Sequence, residues 1–106
     1  MKTVLVEYVL QEPASRAQKI EETVNVANNI FKGLPGLISK QWTYDETTGK
    51  GLNVYLWESA EAADNFFDDE FAARFESRFG AHPTVTKLDT LALVDNKSGE
   101  IIVNQG

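Results

Sequence analysis

GLPGLISKQWTYDETTGKGLNVYLWES, residues 33–59, reads as a helix stop, two strand-like runs around a polar turn, and a helix start. Gly33 and Pro35 supply the stop, because a left-handed glycine ends a helix and a proline blocks its continuation. Leu37 to Tyr44 and Leu52 to Trp57 are the strands, and Asp45 to Gly51, with two glycines, is the antiparallel connection. In the first strand Ile38, Lys40, Trp42 and Tyr44 alternate with Leu37, Ser39, Gln41 and Thr43. The second separates more sharply, into aliphatic Leu52, Val54 and Leu56 and ring-bearing or polar Asn53, Tyr55 and Trp57. One face of this hairpin therefore suits a dry aliphatic contact. The other carries rings with hydrogen-bonding tips and needs a roof.

Outward toward the N-terminus, Thr3 to Leu10 (TVLVEYVL) is β-branched and aromatic, which predicts a strand buried on both faces and interrupted by Glu7. Ser15 or Pro13 can begin a helix that ends near Lys32. Ala17, Ile20, Val24, Ala27, Ile30 and Phe31 recur at three- and four-residue spacing and predict its apolar stripe. Arg16, Lys19, Glu22, Asn25 and Asn29 lie off that stripe.

Toward the C-terminus, Ser59 is an N-cap with Glu61 at the positive end of the next helix. Ala63, Phe67, Phe71, Phe75 and Phe79 then recur every fourth residue. A strict four-residue repeat drifts around a straight helix, so a break is expected at Asp68-Asp69-Glu70, with Asp68 or Asp69 capping a second piece that ends near Gly80. Thr84 to Val94 predicts the fourth strand, Asp95 to Gly99 a turn, and Glu100 to Val103 a short fifth strand that could reach a partner subunit. The order is β-α-β-β-α-β with a short C-terminal strand or tail: an α+β, ferredoxin-like antiparallel sheet in one domain, residues 1–106.

Composition narrows the function. A chain of 106 residues holds one modest core, and oligomerisation is a common supplement at that size. A net charge of −6 without a basic stripe speaks against nucleic acid and anionic membrane surfaces. The absence of cysteine excludes disulfides, thiolate chemistry and cysteine-ligated metals. It agrees with a cytoplasmic location. The early apolar run Val4-Leu5-Val6 is too short for a signal peptide or a spanning helix. No metal-ligand spacing, phosphate loop or nucleophile–base constellation is present, and no cofactor or metal is expected.

A four-stranded sheet with helices on one face leaves the other bare. Leu52, Val54 and Leu56 on that face call for cover, most simply a second copy packed sheet to sheet in a homodimer. The helix-side face, with Asn53, Tyr55 and Trp57 beneath Phe67 and Phe71, has the make-up of a small-molecule cleft. Lys40 and Trp42 border it, and Lys40 could stabilise a phenolate or enolate. His82 is the one side chain that titrates near neutrality unaided. It and Glu7 are the candidate general bases.

The proline–glycine before the second strand, Lys40 and Trp42 within it, Tyr55-Leu56-Trp57 in the third and the Ser/Glu/Ala helix start resemble the YdhR-type putative mono-oxygenases. These dimeric α+β-barrel proteins are related to the antibiotic biosynthesis monooxygenases, and the resemblance runs from Val4 to about Val103. It implies a homodimer and a cofactor-independent oxidation, in which an aromatic substrate's own anion reacts with oxygen beside an Asn, a Trp and ring hydroxyls. Trp57 matches the family's strand-three tryptophan, with Asn53, Tyr55 and His82 completing the catalytic candidates. Haem-degrading relatives carry an iron-ligating histidine on the second helix. This chain has Phe75 or a neighbour there, and its single histidine, His82, follows the helix. The alternatives are a small-molecule-binding or stress-response dimer without turnover, and an isomerase or lyase using enolate chemistry.

Overall fold

A computed structural model describes residues 1–105. The elements are β1 (Lys2–Val9), α1 (Arg16–Val26) continued by a π-helical turn (Ala27–Phe31), β2 (Leu37–Asp45), β3 (Lys50–Trp57), α2 (Ala60–Phe66), α3 (Phe71–Phe79), β4 (Thr84–Asp89), β5 (Ala92–Asp95) and β6 (Glu100–Val103). β1 to β4 form one antiparallel sheet in the order β2-β3-β1-β4, the ferredoxin-like arrangement.

The register puts Val4 opposite Tyr55, Val6 opposite Asn53 and Tyr8 opposite Gly51. All six are buried, together with Trp57, on the face that the helices cover. Gly51 is obligatory there, since a Cβ at that position would overlap the Tyr8 ring. Leu52, Val54 and Leu56 alternate onto the opposite face, where they are half-buried.

α1 begins with a complete capping box: Gln18 N donates to Ser15 Oγ and Ser15 N to Gln18 Oε1. Ser15 is therefore the cap, and Pro13 precedes the helix. The Tyr44 hydroxyl donates to Ala14 O at 2.8 Å and ties this entry to β2. At its far end the helix widens, with Lys32 N donating to Ala27 O. The predicted continuous helix to Lys32 thus ends in a π turn, which swings Phe31 in over the sheet.

The helix break at Phe67 to Glu70 occurs as expected. Asp68 accepts from Glu70 N at 3.0 Å and from Arg74 Nη1 at 3.0 Å, although it lies two residues before the cap position itself. The break restores the phase of the four-residue repeat, so Phe67, Phe71 and Phe75 are all buried. Gly80, at φ 70°, closes α3 in the left-handed conformation.

Three expectations are corrected. Ala17, Ile20 and Val24 are exposed, whereas Lys19 and Val26 are the buried residues of α1. The helix is rotated because its inward face borders a cavity, which accepts an amphipathic lysine stem as readily as an aliphatic chain. In β2, a bulge between Leu37 and Ser39 places Leu37 in the core and exposes Ile38, which breaks simple alternation. The single strand Thr84 to Val94 is two: β4 ends at Asp89, and Ala92–Asp95 pairs with Glu100–Val103 as a separate hairpin. Thr90 and Leu91 form the corner, held by Thr90 N to Met1 O and the Thr3–Thr90 hydroxyl contact. The hairpin leaves Leu91, Val94, Ile101 and Val103 exposed.

Candidate functional site

The helix-side face of the sheet does not close completely. Between β1, β2 and β3 below and α1, the π turn, α2 and α3 above lies a cavity of about 340 Å³. Its walls are rich in rings, Tyr8, Phe31, Trp42, Tyr55, Phe66 and Phe71 among them. They hold one another in place. Phe66 packs 5.6 Å from Phe31 and 6.0 Å from Tyr55, centroid to centroid, and Phe71 packs 5.8 Å from Phe66. Tilted pairs of this kind add to the burial of the rings and fix their orientation.

Several polar groups interrupt the apolar wall, and Lys40, Asn53 and Tyr55 come from the sheet beneath it. Lys40 comes from β2, and its Nζ lies 3.6 Å from the centroid of Phe31, 4.2 Å from Trp42 and 4.3 Å from Tyr55. No carboxylate lies within ion-pairing distance of it among the described residues. Burial and the like charge of Lys19 lower its pKa to about 7. The ring faces attract the ammonium from three sides, so both protonation states are accessible near neutral pH.

Asn53 comes from β3. It is 5% exposed, and no protein group reaches its Oδ1. Such a buried, unused acceptor is costly unless a ligand satisfies it. Tyr55 is the third. Burial pushes its phenol above the ordinary value, so it stays protonated as a donor.

At the cavity margin Lys19 pairs with Glu22 at 3.1 Å and lies over Tyr8, Tyr44 and Phe79. Burial opposes its charge. Its contacts to Tyr8 and Glu22 outweigh that effect, and its pKa rises. Arg74 is held by Asp68, and Arg78 lies at the edge over Phe79. Glu22 is the one carboxylate among the lining residues, and Lys19 occupies it.

The structure brings Asn53, Tyr55, Lys40, Trp42 and Phe71 of the candidate residues into this one wall. Trp57 and Phe67 lie beside it in the packed ring cluster: Trp57 is stacked 6.1 Å from Tyr55, and Phe67 sits 4.9 Å edge-on to Tyr55. Trp57 is 1% exposed, and its Nε1 has no protein acceptor. His82 stands apart, exposed beyond α3, with Nδ1 3.2 Å from Glu76 Oε2. Glu7 is exposed on the other face of β1. Phe31, Phe66, Tyr8 and Lys19 are lining residues that sequence reading did not single out as such. Phe31 carried a partial signal as the last apolar residue before the helix stop. Lys19 carried none, because nothing local tells a lysine aimed at a cavity from one aimed at water.

Comparison with known proteins agrees with this architecture. The family model described as putative mono-oxygenase ydhR matches residues 5–90. No individually curated protein sequence matches the chain. Among solved structures, the monooxygenase from the ActVA-Orf6 gene of Streptomyces coelicolor, in complex with nanaomycin D, superposes with a TM-score of 0.62 at 18% identity. That match covers 84% of this chain and 86% of that one. A putative antibiotic biosynthesis monooxygenase from Deinococcus radiodurans gives 0.62 at 13% identity, covering 90% and 97%. One from Caulobacter crescentus gives 0.58 at 21% identity, covering 84% and 89%. At these identities the structures establish the fold. The family match spans most of the sheet and all three helices, and by it the chain belongs to the YdhR family of putative mono-oxygenases.

Proposed function

We propose that this protein is a cofactor-independent mono-oxygenase for a small hydroxylated aromatic or polyketide-like compound bound beneath the helices. The observation that carries the reading is the pairing of Asn53 Oδ1, an acceptor without a donor, with Lys40, a cation without an anion, in one ring-lined cavity. A phenolic ring answers both. Its faces stack on the wall, one hydroxyl donates to Asn53 Oδ1, and the amine form of Lys40 takes the proton of a second hydroxyl. The resulting ammonium then faces a phenolate in a medium where the attraction is strong. The electron-rich anion supplies the electrons for reaction with oxygen, as the family resemblance implies. Lys40 replaces His82 and Glu7 as the proposed base, since neither of those lines the cavity. Trp57 supports Tyr55 from behind.

Oxygen uptake with a panel of hydroxylated aromatics tests this. Consumption that requires both Lys40 and Asn53 is expected. Full turnover in Asn53→Ala and Lys40→Met would overturn the assignment.

The second reading is a binding protein of the same fold without turnover. It is favoured by the absence of any unpaired carboxylate or imidazole among the lining residues. Saturable binding of the same phenols with no oxygen consumption would select it.

We infer further that the chain works as a homodimer. Half-buried Leu52, Val54 and Leu56 and exposed Leu88 lie on the uncovered sheet face, and the corner and the β5–β6 hairpin add exposed Leu91, Ile101 and Val103. An apolar surface of that extent is covered most simply by its own copy. Among the described residues, no helix is long and apolar enough to cross a membrane.

A further inference from the structure

Lys40 is the half-buried amine of a ring-lined cavity, and an amine there has a second kind of partner besides an acidic hydroxyl. We propose that Lys40 captures aromatic aldehydes and ketones as a covalent imine, which makes the cavity a carbonyl-binding site as well as a phenol-binding one. The inference shares the cavity with the proposed oxygen chemistry but does not depend on it.

The geometry comes first. Nζ sits within 3.6–4.3 Å of the centroids of Phe31, Trp42 and Tyr55, facing a space of about 340 Å³, enough for a ring with a small substituent. It makes no ion pair or hydrogen bond that would have to break before it attacked. The groups that border it from every side leave it so. From α1, Glu22 is engaged by Lys19, and Lys19 opposes the charged form of Lys40 as a like charge. From α3, Arg74 is bound to Asp68, and Arg78 contributes another positive charge at the margin. From β1 and β3 come the phenols Tyr8 and Tyr55. Nothing anionic is free to pin the ammonium form. A lysine desolvated in an apolar pocket and crowded by another cation is the setting in which lysines become nucleophiles, and a pKa near 7 leaves much of it as free amine at neutral pH.

The step balances without an oxidant or reductant. The Nζ lone pair forms the C–N bond, and the carbonyl π pair moves to oxygen, which takes a proton while nitrogen loses one. The carbinolamine then expels its hydroxyl, with a proton, as water. Nitrogen closes the C=N bond. Asn53 Oδ1 is an acceptor for the carbinolamine hydroxyl, and the Tyr55 phenol, kept protonated by burial, is a hydrogen-bond donor. The ligand's own chemistry selects the outcome: a phenol gives its proton to the amine, and a carbonyl without an acidic hydroxyl receives the amine's lone pair.

The test is reductive trapping. The full chain is incubated at pH 7 with benzaldehyde or acetophenone, neither of which is a phenol, and with cyanoborohydride. Adducts are counted by intact mass and located by peptide mapping. The expected result is a single adduct at Lys40, formed at least roughly tenfold faster than at the surface lysines, which lie outside the ring-lined cavity. The terminal amine of Met1 is the natural competitor, and mapping separates it. Lys40→Met and Lys40→Arg should both lose the fast adduct. The arginine keeps the charge, so a folded Lys40→Arg protein decides the matter if the methionine variant misfolds. Labelling of Lys40 no faster than other lysines, or a fast adduct that persists in Lys40→Arg, overturns the proposal. Oxygen uptake with phenols is a separate readout, so either reading can fail without the other.

Discussion

The ammonium of Lys40 lies 3.6 Å from the centroid of the Phe31 ring, and the two come from elements separated by the helix stop at Gly33. Phe31 reaches that position because the last turn of the first helix is a π turn, and Lys40 because a bulge at Ile38 precedes it. Two local irregularities therefore build one contact. Both sit next to the cavity, where irregular backbone commonly re-aims functional side chains.

Lys40 should make stability depend on pH in a defined direction. Its folded pKa, about 7, lies below its unfolded value, so the unfolded chain binds more protons between about pH 7 and 10. Wild type should gain stability relative to Lys40→Met as pH rises through that window, and the penalty should be fully present below it. Tyr55 acts in the opposite sense only above about pH 10, where the unfolded phenol ionises and the folded one does not. Denaturant titrations of both proteins at pH 6, 8 and 9.5 check this. A difference that stays constant with pH would contradict the depressed pKa.

Asn53→Leu should separate stability from function. The amide carries an unsatisfied buried oxygen, so its replacement by an apolar group of similar volume should leave stability within about 1 kcal/mol of wild type. Affinity for phenols should nonetheless fall about tenfold, the loss of one hydrogen bond of about 1.4 kcal/mol. Titration of ring ligands against Trp42 fluorescence, paired with thermal unfolding, measures both.

Gly51→Ala should damage the fold. The Tyr8 ring occupies the space a Cβ would take, and Tyr8 in turn packs 5.2 Å from Phe75. Either the ring or the strand must shift, at a cost of about 1–3 kcal/mol. Urea unfolding gives the loss directly. Displacement of Tyr8 should also alter ligand affinity, because that ring lines the cavity.

Leu56→Glu should convert a homodimer to a monomer while leaving the helix-side core in place. Leu56 alternates away from buried Tyr55 and Trp57, so a charge there meets water in the monomer and apolar surface in the dimer. Light scattering after size exclusion reads the mass. A wild-type protein that already elutes as a monomer would remove the proposed sheet-to-sheet contact.

Much of this was readable along the chain because the signals were local. The alternation of Asn53, Tyr55 and Trp57 against Leu52, Val54 and Leu56 needs only the two-residue period of a strand, and the structure places the two sets on opposite faces. The break at Asp68 follows from a four-residue repeat that a straight helix cannot keep in phase, and the Ser15 and Ser59 caps follow from hydroxyl chemistry. The first helix was read less well. Ile20 and Val24 lie on a continuous apolar stripe yet are exposed, while Lys19 is buried. Periodicity reports which face is apolar, not whether the opposing surface is a packed sheet or a cavity.

By itself, then, the sequence determined the β-α-β-β-α-β order and the two-faced hairpin, since each depends on spacing between near neighbours, and it carried the family resemblance in motifs spread along the chain. Only the tertiary structure decided that Lys40, Asn53, Tyr55, Phe31 and Phe66 share one wall, and that His82 and Glu7 do not. That grouping depends on how a π turn, a bulge and three helices meet in space. Burial and neighbouring charge, which set the state of the Lys40 amine, exist only after they have met.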